Sequence, residues 1–330
     1  MNMDRRQFLR GVVATGVLAG AAAPKTAEAI VRAPKQMSPL ALGMLYDSTL
    51  CIGCKACVDA CKRANGMPDE IPDHLSGWNE NTWDTAEDLS GRTLNVIKAY
   101  RHGTMAKKDS AENGYAFVKR HCLHCVDASC VSACPVSAMT KDPETGIVFH
   151  DPDACIGCRY CVFVCPFGVP QYDLDNPFGK IQKCQMCAHL QAKGEMPACC
   201  DVCPTGASLF GVVSELRVEA DRRLALNPGS TYDYPRGRLG GDRPTHEAAA
   251  PRYIPAVYGD TEVSGTQVRY LSAVPFEKLG LPKLPAQAFA AITEGLQNLL
   301  YGKFIGPLVL FVGFAALAFR SHKQHAEDDE

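Results

Sequence analysis

Four runs of closely spaced cysteine govern what this chain can fold into. The first, CIGCKACVDAC, holds Cys51, Cys54, Cys57 and Cys61. The second, CLHCVDASCVSACP, holds Cys122, Cys125, Cys130 and Cys134. The third, CIGCRYCVFVCP, holds Cys155, Cys158, Cys161 and Cys165. The fourth, CQMCAHLQAKGEMPACCDVCP, holds Cys184, Cys187, Cys199, Cys200 and Cys203. Together they take up all 17 cysteines of a 330-residue chain.

Two-residue gaps let a tight loop point three thiolates at one inorganic core. A fourth cysteine, set before proline, leaves the loop at a helix start and serves the other cluster of a pair. This is the bacterial ferredoxin pattern for a 4Fe–4S cluster. Cys134, Cys165 and Cys203 each precede proline, whereas Cys61 precedes Lys62. A disulfide framework does not explain three-cysteine runs. Structural zinc uses two pairs across a longer gap, which the fourth run alone could imitate. No C-x-x-C-H is present, so no c-type haem is attached. Four motifs need sixteen ligands, about four per cluster, and one cysteine is left over. Cys199 keeps the three-residue gap to the proline-linked cysteine, so Cys199 is assigned as ligand and Cys200 as the spare thiol. His121, His124 and His189 lie near the loops and are read as supporting or surface groups. Arg159 and Lys183 are candidate charges for tuning reduction potentials, with plain surface solvation as the alternative.

Each run follows a short apolar or alternating stretch, at 42–47, 115–120, 146–150 and 179–183. MTKDPETGIVFH reads as a hairpin turning at DPETG. Residues 206–213 read as a further strand, and SELRVEADRRLALNPG as a helix stopped by glycine. The expected fold is therefore α+β: two ferredoxin-like 4Fe–4S units made of four cluster-binding repeats, with insertions. The main insertion, about 62–114, carries Trp78 and Trp83 and is too long for a bare loop. The double ferredoxin-like domain spans 30–213. A stretch at 214–285, irregular from about 227, is expected to wrap the core or a partner.

The two ends carry their own signals. Arg5-Arg6, a weakly apolar stretch and Ala27-Glu28-Ala29 predict a twin-arginine signal peptide over 1–29, a route that exports proteins already folded. Residues 286–319 are expected to form an amphipathic lead-in and a transmembrane helix. The apolar run 304–319 alone would span about 24 Å, and inclusion of 299–303 brings it to about 31 Å. The tail at 320–330 begins with Arg320 and Lys323, which the positive-inside rule places in the cytoplasm. The body would then lie on the periplasmic side of the cytoplasmic membrane.

A net charge of −2 argues against nucleic acid as a partner. No nucleotide-binding glycine loop is present, so the chemistry legible here is one-electron transfer. The four runs, PACCDVCPTGA and VYGDTEVSGTQVRYLSAVPFEKLGLP resemble the four-cluster electron-transfer subunits of membrane-bound oxidoreductases, such as the beta subunit of respiratory formate dehydrogenase. LGMLYDSTLCIGCKACV, ENGYAFVKRHCLHCVD, NPFGKIQKC and RLALNPGS are similar to the branch serving nickel–iron uptake hydrogenases of the hydrogenase-2 type. The resemblance implies a non-catalytic subunit with four [4Fe–4S] clusters. Its implied partners are the hydrogenase small and large subunits and an integral membrane quinone-reacting subunit. A molybdenum or tungsten enzyme, such as formate dehydrogenase or a sulfur-compound reductase, is the alternative donor. The resemblance also implies four ligand sets: Cys51, Cys54, Cys57 and Cys203; Cys184, Cys187, Cys199 and Cys61; Cys122, Cys125, Cys130 and Cys165; Cys155, Cys158, Cys161 and Cys134.

Overall fold

A computed structural model describes residues 31–67, 88–173 and 179–328. The expected leader at 1–29 and both tryptophans of the insertion lie outside the described residues. The chain divides into a compact unit, Pro34–Ala290, and a second formed by Met1–Ala33 with Ala291–Glu330.

The compact unit is built on a four-stranded sheet of β1 (Leu42–Asp47), β9 (Ser208–Val212), β11 (Gly237–Arg238) and β13 (Val268–Leu271), in the order β11-β9-β1-β13. β1 runs antiparallel to β9 and parallel to β13. Successive side chains of a strand face opposite sides, and the sheet uses this to serve two cores. Leu45, Leu209 and Leu271 pack with Leu216 and Ala220 of helix α6 (Val213–Leu224). Met44, Tyr46, Phe210, Val268 and Tyr270 point the other way, into a core that includes Cys51, Cys61, Cys122, Cys184 and Cys199.

A second sheet places β4 (Gly114–Arg120) between β2 (Val96–Arg101) and β3 (Lys107–Lys108). The expected hairpin is present as β5 (Met139–Lys141) against β6 (Val148–His150). Asp142 caps its turn, its carboxylate accepting from the Thr145 backbone N–H at 2.6 Å. β7 (Gln171–Tyr172) pairs with β8 (Ile181–Gln182). Short helices follow the cysteine loops: α1 (Ala56–Ala64), α2 (Ser129–Ser132), α3 (Tyr160–Val164), α4 (Ala188–Gln191) and α5 (Ala198–Asp201).

The stretch 227–285 departs from the irregular wrap expected of it. It supplies the hairpin pair β10 (Thr231–Tyr234) and β12 (His246–Ala249), as well as β11 and β13. β13 is wholly buried and is an integral strand of the central sheet. Its four residues stand among turn-forming neighbours, and the pairing with β1 that makes them a strand is non-local.

In the second unit, helix α7 runs Phe289–Asp328, and Arg32 pairs with Glu294 at 2.7 Å. Leu308, Phe311, Val312, Phe314, Leu317 and Phe319 are exposed. Among the described residues, no helix is long and apolar enough to cross a membrane. The expected span over 304–319 falls partly on 304–307, 309 and 310, whose side chains lie outside the described residues.

Candidate iron–sulfur site

The four cysteine loops share a backbone solution. The residue before the second cysteine is left-handed in each: Gly53, His124, Gly157 and Met186, with φ of 72°, 48°, 71° and 53°. This reversal lets cysteines three residues apart turn toward a common centre. In the first and third loops a second left-handed residue, Lys55 or Arg159, then caps α1 or α3.

Helix contacts pair the runs. α1 of the first run packs on α5 of the fourth, and α2 of the second packs on α3 of the third. The thiols gather accordingly. Cys51, Cys54, Cys57 and Cys203 line one cavity. Cys184 faces Cys61, Cys187 and Cys199. Cys125 faces Cys165, Cys122 and Cys130. Cys161 faces Cys155, Cys158 and Cys134. These neighbourhoods run along the four groups that the family resemblance implies, although among the described residues no three such side chains converge closely enough to hold a single metal ion.

The quartets also follow one another in series. Cys57 of the first is within electrostatic reach of Cys199 of the second. Cys184 of the second reaches Cys122 of the third, and Cys130 of the third reaches Cys161 of the fourth. The second quartet is buried throughout, whereas Cys54 at one end and Cys158 at the other are exposed. Ile52 stands out beside Cys54, and Ile156, Tyr160 and Phe163 stand out around Cys158.

The two adjacent cysteines of the fourth run have different surroundings. Cys61, Cys184 and Cys187 each face Cys199. Cys200 is fully buried, and the groups around it are Cys199, Lys119 and Cys203. A hydrogen bond from the Cys200 thiol and the ammonium of Lys119 hold Cys199 well below the usual thiol range.

The groups present fit a 4Fe–4S core. Burial, with neighbouring thiols adding to it, pushes Cys61 and Cys130 up to about 12 and Cys161 to about 11. Thiolates crowded this way need cationic metal to be stable. Donors are aimed at sulfur: Met186 N to Cys184 Sγ at 3.3 Å, Met139 N to Cys134 Sγ at 3.4 Å, and Asn65 Nδ2 to Cys61 Sγ at 3.6 Å. His124 accepts the Val148 N–H on Nδ1 at 3.0 Å. Its buried Nε2 has no partner among the described residues, and the same holds for His121. Burial, then nearby cations, holds both imidazoles well below the usual range. Neutral His124 therefore carries its proton on the orphaned Nε2, as a donor in need of an acceptor.

The remaining sequence candidates divide. His189 is bonded to the Ala64 carbonyl at 2.9 Å. Arg159 is exposed and stacks 3.9 Å from the Tyr172 ring centroid. Lys183 is buried, donating to the Val148 carbonyl and, at 3.1 Å, to that of Cys184, so surface solvation does not describe it. Sequence reading missed Lys119 and Asn95. Lys119 is fully buried. Asn95 donates to the Cys57 carbonyl at 3.1 Å. A signal for Lys119 did exist: period two puts it on the β4 face that carries Tyr115 and Phe117.

Left-handed cysteine loops, paired helices and clustered thiols define an iron–sulfur protein of the ferredoxin type. Residues 114–213 match the 4Fe–4S dicluster domain family, and residues 44–63 match the 4Fe–4S binding domain family. Between them these segments hold all four runs. The chain is 45% identical to the hydrogenase-2 operon protein HybA of Escherichia coli O157:H7, over 99% of this chain and 98% of that protein. It is 35% identical to protein NrfC of Escherichia coli K12, over 71% of this chain and 90% of the relative. It is 32% identical to the formate dehydrogenase-O iron–sulfur subunit of the same strain, over 67% and 72%. The chain belongs to the HybA family of 4Fe–4S electron-transfer proteins.

Proposed function

We propose that this chain carries electrons from a periplasmic nickel–iron hydrogenase, made of small and large subunits, to an integral membrane subunit that reacts with quinone. The observation that carries the reading is the serial order of four thiol quartets with an exposed loop at each end. Four bound [4Fe–4S] clusters, one per quartet, would supply the one-electron relay. The chain's own residues hold and insulate that path. Sixteen cysteines, the four quartets named above, are the proposed ligands, and Cys200 is the spare. The apolar side chains standing in solvent around Cys54 and Cys158 suit surfaces that a donor and an acceptor would cover.

The hydrogenase is favoured as donor because similarity to the hydrogenase-2 operon protein extends over nearly both full lengths. Similarity to the formate dehydrogenase-O subunit is lower and covers about two-thirds of this chain. The reading includes export through the leader 1–29, attachment by one span within 286–319 and a cytoplasmic tail at 320–330. Arg5-Arg6 and the apolar sequence run 304–319, several of whose side chains are exposed, favour that topology.

The test is a deletion strain. Hydrogen oxidation with a soluble dye should survive, because the catalytic subunits remain, while hydrogen-dependent quinone reduction should vanish. Loss of formate-dependent quinone reduction, with the hydrogen-dependent reaction intact, would put the molybdopterin partner in its place.

A further inference from the structure

Lys119 lies where two quartets meet. Its place is set by β4: it shares a strand face with Phe117, whose ring lies against Gly53 in the first cysteine loop. Its carbonyl accepts the Tyr270 hydroxyl at 3.0 Å. Its Nζ donates to Ser208 Oγ at 3.3 Å. β13 and β9 therefore fix the two ends of the residue. The strongest partners of the ammonium are the sulfurs of Cys199, Cys57 and Cys200, with the neutral His121 imidazole and the thiols of Cys61 and Cys187 also within reach. Among the described residues, no carboxylate pairs with it.

A fully buried ammonium is costly unless an anion faces it, and a serine hydroxyl is not one. Cys57 belongs to the first quartet and Cys199 to the second. They are also the pair through which those quartets come within reach of each other. We propose that Lys119 is the shared counter-cation of the first and second quartets, holding the clusters of both toward their reduced state. The proposal rests on the electron-relay reading above. Each one-electron reduction adds one negative charge, with the electron arriving from the donor subunit and leaving to the acceptor. A fixed positive charge between two such centres stabilises the added electron on either and offsets repulsion between them. Lys183 is placed differently, since its ammonium is bonded to two backbone carbonyls.

The test uses the full chain in detergent, loaded anaerobically, as wild type, Lys119→Met and Lys119→Arg. Iron and sulfide are counted, and midpoint potentials are read by EPR during redox titration. Lys119→Met should keep its iron and lower two of the four midpoints. Each should fall by at least a tenfold change in the reduction equilibrium, 59 mV for one electron, with the other two unmoved. Lys119→Arg should titrate like wild type. A fully loaded Met variant with wild-type midpoints overturns the proposal, as do Met and Arg variants that shift alike. Should Lys119→Met fail to load, the Arg variant decides. Loading with wild-type midpoints supports a required charge, and failure to load shows that shape rather than charge matters. Wild-type protein without iron and sulfide would instead overturn the electron-relay reading.

Discussion

At the scale of single residues, the adjacent Cys199 and Cys200 show how little separates a ligand from a bystander. Both sit on α5, both are buried, and a 100° step along the helix sends them to different neighbours. Cys199 turns to Cys61, Cys184 and Cys187, whereas Cys200 turns toward Cys203; the Lys119 ammonium reaches both. The spacing rule makes Cys199 the ligand and Cys200 the spare thiol. Cys200→Ser should leave iron and sulfide at about sixteen of each per chain, four per cluster. Cys199→Ser should lose or convert one cluster, giving roughly twelve to fifteen iron on the same count. Anaerobic metal and acid-labile sulfide analysis of the two variants checks this, and equal losses would reverse the assignment.

Among the elements, the first and third loops share the words CIGC and the same left-handed glycine, yet they differ in surroundings. A Cβ on Gly157 would meet only the Tyr172 ring edge, at 3.9 Å. A Cβ on Gly53 would sit 2.6 Å from the Phe117 ring. Gly157→Ala should therefore cost only the left-handed penalty of about 1–2 kcal/mol. Gly53→Ala should add an overpacking cost of about 1–3 kcal/mol. The order of cluster-loss temperatures, followed by visible absorbance under anaerobic heating, should be wild type, Gly157→Ala, Gly53→Ala. The cysteine spacing made the loops legible, and Asp142 and Gly146 made the hairpin legible, because both are local signals. β13 was hidden because VRYL becomes a strand only by lying parallel to β1, more than two hundred residues away. Lys119 was passed over because a strand lysine ordinarily faces water, and its burial depends on β9 and β13 closing over it. The buried triad of Arg223 with Asp47 at 3.0 Å and Glu219 at 2.8 Å was equally silent in sequence. It ties α6 to the end of β1, four residues before the first cysteine.

For the whole molecule, order of assembly follows from where the ligands come from. The first cavity takes Cys51, Cys54 and Cys57 from near the start of the compact unit and Cys203 from a distant part of the chain. A chain that closes a cluster across that distance must be largely folded when the cluster goes in. Under the proposed topology, export after loading would call for a pathway that carries folded protein, which is the role proposed for Arg5-Arg6. Arg5-Arg6→Lys-Lys, which keeps both charges, should leave a loaded, membrane-associated or soluble chain on the cytoplasmic side, as fractionation with a cytoplasmic marker would reveal. Truncation before Leu299 should leave the leader and the compact unit, Pro34–Ala290, intact. It should release a periplasmic protein with its full iron content, because all sixteen proposed ligands lie between Cys51 and Cys203. A truncated chain that stays in the membrane when its partners are deleted would show that attachment does not depend on α7. A chain that is released but short of iron would show that α7 does more than anchor.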